Sequence, residues 1–481
     1  MSTSTIVTRG PAIESINPAT EAVLASFEQF TPEQVEHALA DADAAFRDWR
    51  RQSFGERSQA LRRAAELLRS RQERYAGLIT AEMGKPITQA EAEVEKCAWT
   101  CDYFAEHAER FLARQPVQTN ARVSYVAFEP LGVVLAVMPW NFPFWQVFRF
   151  AAPTLMAGNT AVLKHASNVP QCALTIEEVF RDAGFPHGVL RTVLVPGGAV
   201  EAIIDDPRVR AVTLTGSNTT GEKVAAAAGR AIKKSVLELG GSDPFIVLDD
   251  TDLAAAAATA VHSRFRNGGQ SCVAAKRFIV VASVAEEFEH RFVEGIRKLK
   301  VGDPTDRSVD VGPLARADLR ETVDRQVQES VALGQARVVL GGAPLPGRGY
   351  FYEPTLLVDV ADTSPAWREE LFGPVAVLVR ARDVDAAITL ANDTAFGLGA
   401  SLWTRDLERA QLLASRIDAG SVFINGMVTS DPRLPFGGVK QSGYGRELSE
   451  FGIREFVNVQ TVWMSDGDER LPTPPSAALV E

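Results

Sequence analysis

The sequence predicts an α/β protein built on doubly wound parallel sheets. Apolar runs that suit buried strands alternate along most of the chain with stretches whose apolar residues recur at helical spacing. That alternation is typical of βαβ units, in which a helix crosses from one strand to a parallel neighbour. A length of 481 residues suits two or three domains with ample cores.

The elements can be placed in chain order. Helical spacing predicts a helical lead-in over residues 33–112. A first βαβ series has predicted helices at 171–183 and 221–231 and predicted strands at 132–137, 160–163, 191–195, 211–214 and 235–239. A second α/β series has predicted strands at 245–248, 277–281, 338–340, 375–379 and 422–424. Residues 123–128 and 455–462 predict extended strands without an adjacent helix, and the tail from Asp466 is expected to be loosely ordered.

Composition limits the partners of the chain. A net charge of -11 argues against nucleic acid or an anionic membrane as the main partner, because such surfaces usually need a basic patch. The sequence shows no apolar run of membrane-spanning length and no signal-peptide pattern. Cys97, Cys101, Cys172 and Cys272 fit a reducing cytoplasm better than a disulfide framework. We expect a cytoplasmic protein without a metal site.

The loop R-F-R-N-G-G-Q-S-C, which ends on Cys272, is the strongest candidate for a reactive centre. Gly268 and Gly269 allow peptide N–H groups to approach a substrate closely. Arg264 and Arg266 would favour the thiolate, which is the nucleophilic form of cysteine. A lone cysteine is more often a packed residue in a turn, so this hypothesis needs support from elsewhere in the chain.

Four further motifs give that support. They are M-P-W-N-F-P at 138–143, L-E-L-G-G at 237–241, E-E-L-F-G-P at 369–374 and P-F-G-G-V-K-Q-S-G-Y-G-R-E at 435–447. Together with N-G-G-Q-S-C they span almost the whole chain, in family order, and resemble the NAD(P)-dependent aldehyde dehydrogenase superfamily. Residues 141–172 are most similar to its bacterial branch that oxidises succinate semialdehyde.

The resemblance implies an aldehyde dehydrogenase-like fold in three parts. They are a Rossmann-type cofactor-binding domain (1–119, 134–239 and 426–454), an α/β catalytic domain (240–425) and an oligomerisation segment (120–133 and 455–481). In the resembled family the last part forms a small bridging β-sheet that joins subunits. We therefore expect a homodimer or a homotetramer.

Three residues would carry the chemistry that the resemblance implies, the oxidation of an aldehyde through a thioester. Cys272 attacks the carbonyl, and the side-chain amide of Asn141 and the Cys272 N–H hold the oxyanion. Glu238 activates water against the thioester, since an apolar strand end raises the pKa of a carboxyl. Taken alone, Asn141 also suits a turn and Glu238 a salt bridge. Glu447 is a second candidate for proton relay, with an arginine pair or a cap as the alternative.

The chain lacks the G-x-G-x-x-G fingerprint, so its cofactor residues come from the resemblance and from strand ends. Residues 215–217 open a helix and can present N–H groups to a diphosphate. Members that prefer NAD often carry a glutamate at position 167, which repels a 2′-phosphate, so Ser167 favours NADP over NAD. The full implied set is Pro139, Trp140, Lys164 (adenosine ribose), Ser167, Gly216, Ser217, Leu239, Glu370 (nicotinamide ribose) and Phe372 (nicotinamide ring).

Two arginines predict an anionic group on the substrate. Arg149 lies in the apolar stretch F-W-Q-V-F-R-F-A-A, where an unpaired guanidinium is costly. Arg266 precedes the nucleophile and would converge on the same pocket. The pair resembles the succinate semialdehyde enzymes and suits a bidentate grip on a carboxylate, with a structural Arg–Glu pair as the alternative for either residue. Ser271, Ser430 and Phe436 are the expected pocket neighbours.

The sequence therefore predicts oxidation of succinate semialdehyde to succinate with NADP or NAD. One alternative is a broader dehydrogenase for ω-carboxylated aldehydes such as glutarate semialdehyde. A different class is an inactive, cofactor-binding structural protein, against which the joint presence of Cys272, Glu238 and Asn141 argues. Thioesterase activity is compatible with Cys272 and Glu238 alone. A CoA-acylating enzyme is disfavoured, because such enzymes commonly lack the base that Glu238 would supply.

Overall fold

The computed structural model describes residues 12–465, so the expectations for the N-terminus and for the tail from Asp466 lie outside the described residues. The strands within that range are β1 (Ile13–Ile16), β2 (Val23–Phe27), β3 (Gln115–Pro116), β4 (Val123–Pro130), β5 (Val133–Met138), β6 (Thr160–His165), β7 (Leu190–Thr192), β8 (Val209–Thr215), β9 (Lys234–Glu238), β10 (Asp243–Val247), β11 (Ala275–Val281), β12 (Arg337–Leu340), β13 (Thr355–Val358), β14 (Val375–Ala381), β15 (Gly399–Trp403), β16 (Ser421–Ile424), β17 (Gly443–Tyr444) and β18 (Val457–Met464).

The α-helices within the same range are α1 (Pro32–Trp49), α2 (Phe54–Ser70), α3 (Gln72–Met83), α4 (Ile87–Phe111), α5 (Trp145–Met156), α6 (Pro170–Asp182), α7 (Val200–Asp205), α8 (Asn218–Arg230), α9 (Leu253–Phe265), α10 (Ala285–Arg297), α11 (Ala317–Ala332), α12 (Pro365–Arg368), α13 (Val384–Asn392), α14 (Leu407–Ala414) and α15 (Ser449–Ile453). Short 3-10 turns occupy Gly197–Ala199, Arg266–Gly269 and Lys440–Ser442.

A six-stranded sheet has the strand order β17-β9-β8-β5-β6-β7. Strands β5 to β9 are parallel, and the short β17 runs antiparallel beside β9. The chain builds from β5 outward to β6 and β7, then returns to place β8 and β9 on the other side of β5. Ligands of doubly wound sheets bind beyond the carboxyl ends of the strands at such a reversal, here the ends of β5 and β8.

The five strands predicted for the first series are present, and the two predicted helices correspond to α6 and α8. Strand β7 is shorter than predicted, ending at Thr192 instead of residue 195. Val193 still donates to Leu163 O, but the chain then leaves the sheet ahead of Pro196, and a proline offers no N–H to a sheet ladder. The reversal at β5 and β8 is thus built from elements that the sequence predicts.

A seven-stranded sheet has the order β12-β13-β14-β11-β10-β15-β16. All its neighbours are parallel except β12, which runs antiparallel to β13 at one edge. The sequence prediction missed β13 and β15. Strand β13 is only four residues long, and β15 begins with the small residues Gly399, Ala400 and Ser401, which carry little of the apolar signal that marks a buried strand.

A three-stranded antiparallel sheet, β18-β4-β3, contains the two extended segments predicted at 123–128 and 455–462. Strand β18 pairs with β4 along its whole length and forms one edge of this sheet. Val459, Trp463 and Met464 on β18 are exposed apolar residues. An N-terminal hairpin, β1-β2, was not predicted from the sequence.

The predicted helical lead-in is confirmed as four helices, α1 to α4. Capping boxes at Thr31 and Ser53 explain where α1 and α2 begin. Helix α4 packs against α2, α3 and α5 and thereby brings its buried face to the segment after β5. Within residues 12–465, no helix has the length and apolar character needed to cross a membrane.

Candidate active site

Cys272 lies on a sharply turned loop between α9 and β11. Asn267, Gly268 and Gly269 have positive φ angles of 55°, 61° and 74°, which glycine adopts without the strain that a side chain brings. A Cβ on Gly269 would overlap the backbone carbonyl of Gly373. Both glycines are buried, so their freedom serves the turn and this backbone contact, and not the close approach to substrate that the sequence suggested.

A network of amide groups joins this loop to the segment after β5. Asn141 Nδ2 donates to Gln270 O at 3.1 Å, and Asn267 Nδ2 donates to Asn141 O at 2.9 Å. Gln270 Oε1 in turn accepts from Ala315 N at 2.9 Å. The second N–H of the Asn141 amide has no acceptor among the described residues. The network therefore holds Asn141 beside the loop that carries Cys272 and leaves one N–H of the Asn141 amide free to donate.

The Cys272 side chain is a thiol in the resting site. Desolvation raises its pKa to about 12, and the positive charges of Arg149 and Lys276 only partly oppose that effect. Lys276 Nζ donates to Cys272 O at 2.9 Å. The expectation that Arg264 favours the thiolate was wrong, because its guanidinium is bound by backbone carbonyls of the segment before β14. Arg266 is not among the main influences on the Cys272 pKa either; the leading cations are Arg149 of α5 and Lys276 of β11.

Glu238, the last residue of β9, is 2% exposed. Neither of its carboxylate oxygens has a hydrogen-bond partner among the described residues. Burial, reinforced by the negative charge of Glu447, raises the Glu238 pKa well above its usual range, although Arg149 and Arg446 oppose the rise. A buried carboxyl without a partner and with a raised pKa suits a proton acceptor.

Arg149, in the middle of α5, is 1% exposed and forms an ion pair with Glu447. Its Nη2 donates to Thr215 Oγ1 at 3.3 Å, and its guanidinium lies 4.5 Å from the centroid of the Phe436 ring. The structural Arg–Glu pair that the sequence left open is therefore present. Arg149 thus pairs with Glu447, and its positive charge also lowers the pKa of Cys272.

A cavity of about 420 Å³ lies beyond the carboxyl ends of β5 and β8; we call it the cofactor-side cavity. Ser167, although predicted as a cofactor residue, is exposed and does not line it, whereas its neighbour Ala166 does. Thr220 and Arg316 also line the cavity and were missed from the sequence. The predicted residues that do line it are Pro139, Trp140, Asn141, Lys164, Gly216, Ser217, Leu239, Cys272, Glu370 and Phe372.

One wall of the cofactor-side cavity suits a diphosphate. Ser217 caps α8, and its side chain accepts from Thr220 N at 3.4 Å. The first amides of a helix lack intrahelical partners and attract anions. Gly221 lets α8 approach β9, since a Cβ there would lie 2.6 Å from Leu239 Cδ2. Lys164, at the end of β6, adds a cation whose pKa burial lowers. This donor set fits an anionic dinucleotide.

The opposite wall carries one carboxylate and two aromatic rings. Glu370 Oε1 accepts from Gly241 N at 3.0 Å and lies 3.3 Å from Lys276 Nζ. The rings of Trp140 and Phe372 meet edge to face with centroids 5.8 Å apart. A carboxylate held by a backbone amide and a lysine has acceptor sites left for ribose hydroxyls, and an aromatic ring offers an apolar face to a flat ligand.

A second, smaller cavity of about 50 Å³, the substrate-side cavity, shares Cys272 and Gln146 with the first. Cys272 therefore lies where the two cavities meet. Lys96 of α4 and Trp145 of α5 also line this cavity. All five residues predicted for the substrate line it, namely Arg149, Arg266, Ser271, Ser430 and Phe436.

Sequence analysis missed Lys96, Lys276 and Gln146 at this site. Lys96 left no signal in the sequence, because Glu93 and Thr100, which share its helix face at i−3 and i+4, are polar, and only the structure shows that both are buried. Lys276 and Gln146 left none either, because only the fold brings them to Cys272.

Cys97 and Cys101 lie buried on α4, and burial raises the pKa of both thiols. The described part of the chain contains no group of three His, Cys, Asp or Glu side chains arranged to hold a metal ion.

Comparison with known proteins agrees with this geometry. A model of the aldehyde dehydrogenase family matches residues 6–462. A Synechocystis sp. protein named a probable NADP+-dependent succinate-semialdehyde dehydrogenase is 53% identical over 454 residues, which is 94% of this chain and 100% of the relative. The NADP+-dependent succinate-semialdehyde dehydrogenase 1 of Mycobacterium tuberculosis strain H37Rv is 51% identical over 456 residues, again 94% of this chain and 100% of the relative.

Solved structures show the same fold. The succinic semialdehyde dehydrogenase of Streptococcus pyogenes, solved with NADP+, superposes with a TM-score of 0.92 at 37% identity, covering 95% of this chain and 100% of that one. The sheet order, the loop of Cys272 and the match along nearly the whole sequence agree with one another, and the chain belongs to the aldehyde dehydrogenase family.

Proposed function

We propose that this chain oxidises succinate semialdehyde to succinate with NADP+. The observation that carries the proposal is the position of Cys272 between two unlike cavities. One cavity lies at the strand ends where a dinucleotide is expected, and the other is small and lined by cations. The names of the curated relatives support the same substrate and cofactor.

Cys272 Sγ is the proposed nucleophile. Its proton passes to water while Arg149 and Lys276 stabilise the thiolate, and the sulfur then adds to the aldehyde carbon to form a thiohemiacetal oxyanion. The free N–H of the Asn141 amide and the backbone N–H of Cys272 are the proposed donors to the oxyanion. Donors already fixed by a hydrogen-bond network need no reorganisation in the transition state. NADP+, when bound, supplies the hydride acceptor.

Glu238 is the proposed base for hydrolysis of the resulting thioester. Its carboxylate has no partner to release before it accepts a proton from water. Glu238 lines neither cavity, so it reaches the thioester by a side-chain rotation or through one bridging water. The paired residues Arg149 and Glu447 act on Glu238 in opposite directions, since Glu447 raises the Glu238 pKa and Arg149 lowers it.

The proposed cofactor contacts follow the walls of the cofactor-side cavity. The start of α8 holds the diphosphate, Lys164 the adenosine ribose, and Glu370 the nicotinamide ribose. Phe372 and Trp140 flank the ring. Ser167 adjoins the cavity-lining Ala166 and, unlike a glutamate, would not repel a 2′-phosphate, which supports NADP+ over NAD+.

A panel of aldehydes tests the proposal. Succinate semialdehyde, glutarate semialdehyde, butanal and pentanal are each oxidised with NADP+ and with NAD+, and kcat/KM is measured from nicotinamide absorbance. We expect the largest kcat/KM for succinate semialdehyde with NADP+. A higher value for glutarate semialdehyde would support the broader ω-carboxylated dehydrogenase, and higher values for the neutral aldehydes would contradict an acidic substrate.

We also propose that the three sheets mark three functional parts of the chain. The six-stranded sheet belongs to a cofactor-binding domain, the seven-stranded sheet to a catalytic domain, and β18-β4-β3 to an oligomerisation segment. An exposed edge strand with apolar side chains, such as β18, readily pairs with another chain. A homodimer or homotetramer is therefore expected, and analytical ultracentrifugation measures it.

A further inference from the structure

The substrate-side cavity contains a third cation, Lys96, whose role the proposed reaction leaves open. Its Nζ donates to Ser430 Oγ at 2.8 Å and lies 4.3 Å from the centroid of the Trp145 ring. Lys96 projects from α4, whereas Arg149 and Arg266 belong to α5 and to the turn after α9. Three separate elements thus each bring one cation to the same cavity.

Lys96 has no carboxylate counter-ion within residues 12–465. Glu93, three residues earlier on α4, forms an ion pair with Lys85 and accepts from the backbone amides at the start of α5. Asp431 accepts from Arg433 at 2.6 Å. Burial, reinforced by Arg266 and Arg149, lowers the Lys96 pKa to about 7. The nearby acids are therefore committed elsewhere, and the ammonium charge is uncompensated.

The three cations differ in what they have left to bind. Arg149 is already paired with Glu447. Arg266 has no acceptor among the described residues, and burial lowers its pKa with only Glu93 opposing. Lys96 uses one of its three N–H donors on Ser430. A carboxylate has two oxygens with about four acceptor sites, enough to accept from both Lys96 and Arg266.

We propose that Lys96 is a direct ligand of the distal carboxylate of the substrate, acting with Arg266 to set the preference for ω-carboxylated over neutral aldehydes. This inference rests on the proposed function and deepens it. Arg149 then serves mainly to hold Glu447 and to stabilise the Cys272 thiolate. Lys96 and Arg266 supply the positive charge in this cavity that remains free to bind the carboxylate.

The proposal gives the Michaelis constant a characteristic pH dependence. Only the protonated amine attracts a carboxylate, so the KM for succinate semialdehyde should rise as pH increases through the Lys96 pKa. The charged or titratable groups that influence Lys96 are Arg266, Arg149, Cys97, Asp431 and, on its own helix, Glu93. Burial keeps Cys97 a thiol across this range, and the arginines stay charged. Glu238 also titrates, so the part of the KM rise that disappears when Lys96 is replaced is the part that reports Lys96.

The experiment compares Lys96→Met, which keeps the chain length without the charge, with Lys96→Arg in the full-length enzyme at saturating NADP+. We expect Lys96→Met to lower the ratio of kcat/KM for succinate semialdehyde to that for butanal by about 10–100-fold, mainly through KM. Lys96→Arg should retain part of the wild-type ratio of the two kcat/KM values, and its KM should rise at a higher pH than that of the wild type. Lys298→Met, at an exposed site outside both cavities, is the matched control and should keep the wild-type ratio.

Ser430→Ala separates direct from indirect action. If Lys96 contacts the carboxylate itself, the KM of Ser430→Ala still rises with pH as in the wild type. Loss of that pH dependence in Ser430→Ala would overturn direct contact. A Lys96→Met enzyme with the wild-type aldehyde ratio, or a wild-type KM that stays flat from pH 6 to 9, would also overturn the inference. Preference of the wild type for butanal would instead contradict the proposed function, and the two failures are thereby distinguished. If Lys96→Met does not fold, the pH dependence of KM in Lys96→Arg and in the wild type still tests the inference.

Discussion

The two cavities that meet at Cys272 are built on different principles. Strand ends, loops and the start of α8 form the cofactor-side cavity, and its polar groups of both signs include Lys164, Arg316 and Glu370. Helices α4 and α5 and the nucleophile loop form much of the substrate-side cavity. Its cations outnumber the carboxylates that could neutralise them.

The difference shows how one site binds two unlike ligands. A dinucleotide is large enough to be positioned by backbone geometry, so its cavity lies where the topology of the sheet puts it. A four-carbon semialdehyde offers little surface, so an uncompensated charge has to provide its affinity and orientation. Changes at the shared cysteine should therefore affect every substrate, and changes deeper in one cavity should affect only its own ligand.

Cys272→Ala should have the largest effect. Without the sulfur no thiohemiacetal forms, so kcat should fall by at least about four orders of magnitude with every aldehyde and both cofactors. Binding of NADP+, measured by isothermal titration calorimetry, should stay near the wild-type affinity because the walls of the cofactor-side cavity remain. An active Cys272→Ala enzyme would contradict the covalent mechanism.

Glu238→Gln should slow hydrolysis of the thioester by about 10²–10⁴-fold while leaving its formation intact. Intact-mass spectrometry after a single turnover should then detect the acyl adduct on Cys272. A carboxyl with a raised pKa is neutral at low pH and cannot accept a proton, so wild-type kcat should rise with pH through that pKa. The glutamine enzyme should lack this limb. Absence of both the adduct and the pH effect would reject Glu238 as the base.

The two arginines of the substrate-side cavity should differ from each other. Arg266→Ala should lower the preference for succinate semialdehyde over butanal by about 10–100-fold, because its free guanidinium serves only the carboxylate. Arg149→Ala should also lower kcat for butanal, since Glu447 would be left buried without its cation beside Glu238.

Steady-state kinetics of both variants with both aldehydes measure this difference. Replacement of either arginine by lysine should recover only part of the loss, because lysine lacks the planar fork. Unchanged ratios in both alanine variants would remove the arginine evidence for an acidic substrate.

Ser167→Glu should have the smallest effect of the four. A carboxylate there would repel a 2′-phosphate, but Ser167 is exposed, and solvent screens exposed charges. We expect the NADP+ to NAD+ ratio of kcat/KM to fall by roughly fivefold, equivalent to about 1 kcal/mol. Ser167→Gln, which has the same shape without the charge, is the control. A ratio unchanged in both variants would show that Ser167 does not set cofactor choice.

Much of the fold could be predicted from the sequence because strands and helices leave local periodic signals. The first βαβ series, the helical lead-in and the segments that became β4 and β18 all carry such signals. Strands β13 and β15 were missed because one is short and the other starts with small residues. The antiparallel direction of β12 depends on pairing with β13, which local sequence does not specify.

The residues of the site also fall into those that sequence motifs identify and those that only the structure identifies. Motifs led to Cys272, Asn141 and the arginines, and the structure brings all of these to one pair of adjoining cavities. The ion pair between Arg149 and Glu447 was left open, because whether a buried arginine meets a protein carboxylate or a ligand depends on a residue far along the chain. Lys96 and Lys276 were missed because their importance comes from their neighbours in space.

The sequence by itself determined the family of the chain and its alternating α/β architecture, and it singled out Cys272 as the proposed nucleophile, since these depend on local patterns and ordered motifs. The tertiary structure alone decided which charges remain uncompensated. Arg149 is neutralised by Glu447, whereas Lys96 and Arg266 keep free donors in the substrate-side cavity. The physical reason is that electrostatic interactions act through distances and burial in three dimensions, and neither quantity can be obtained from spacing along the chain.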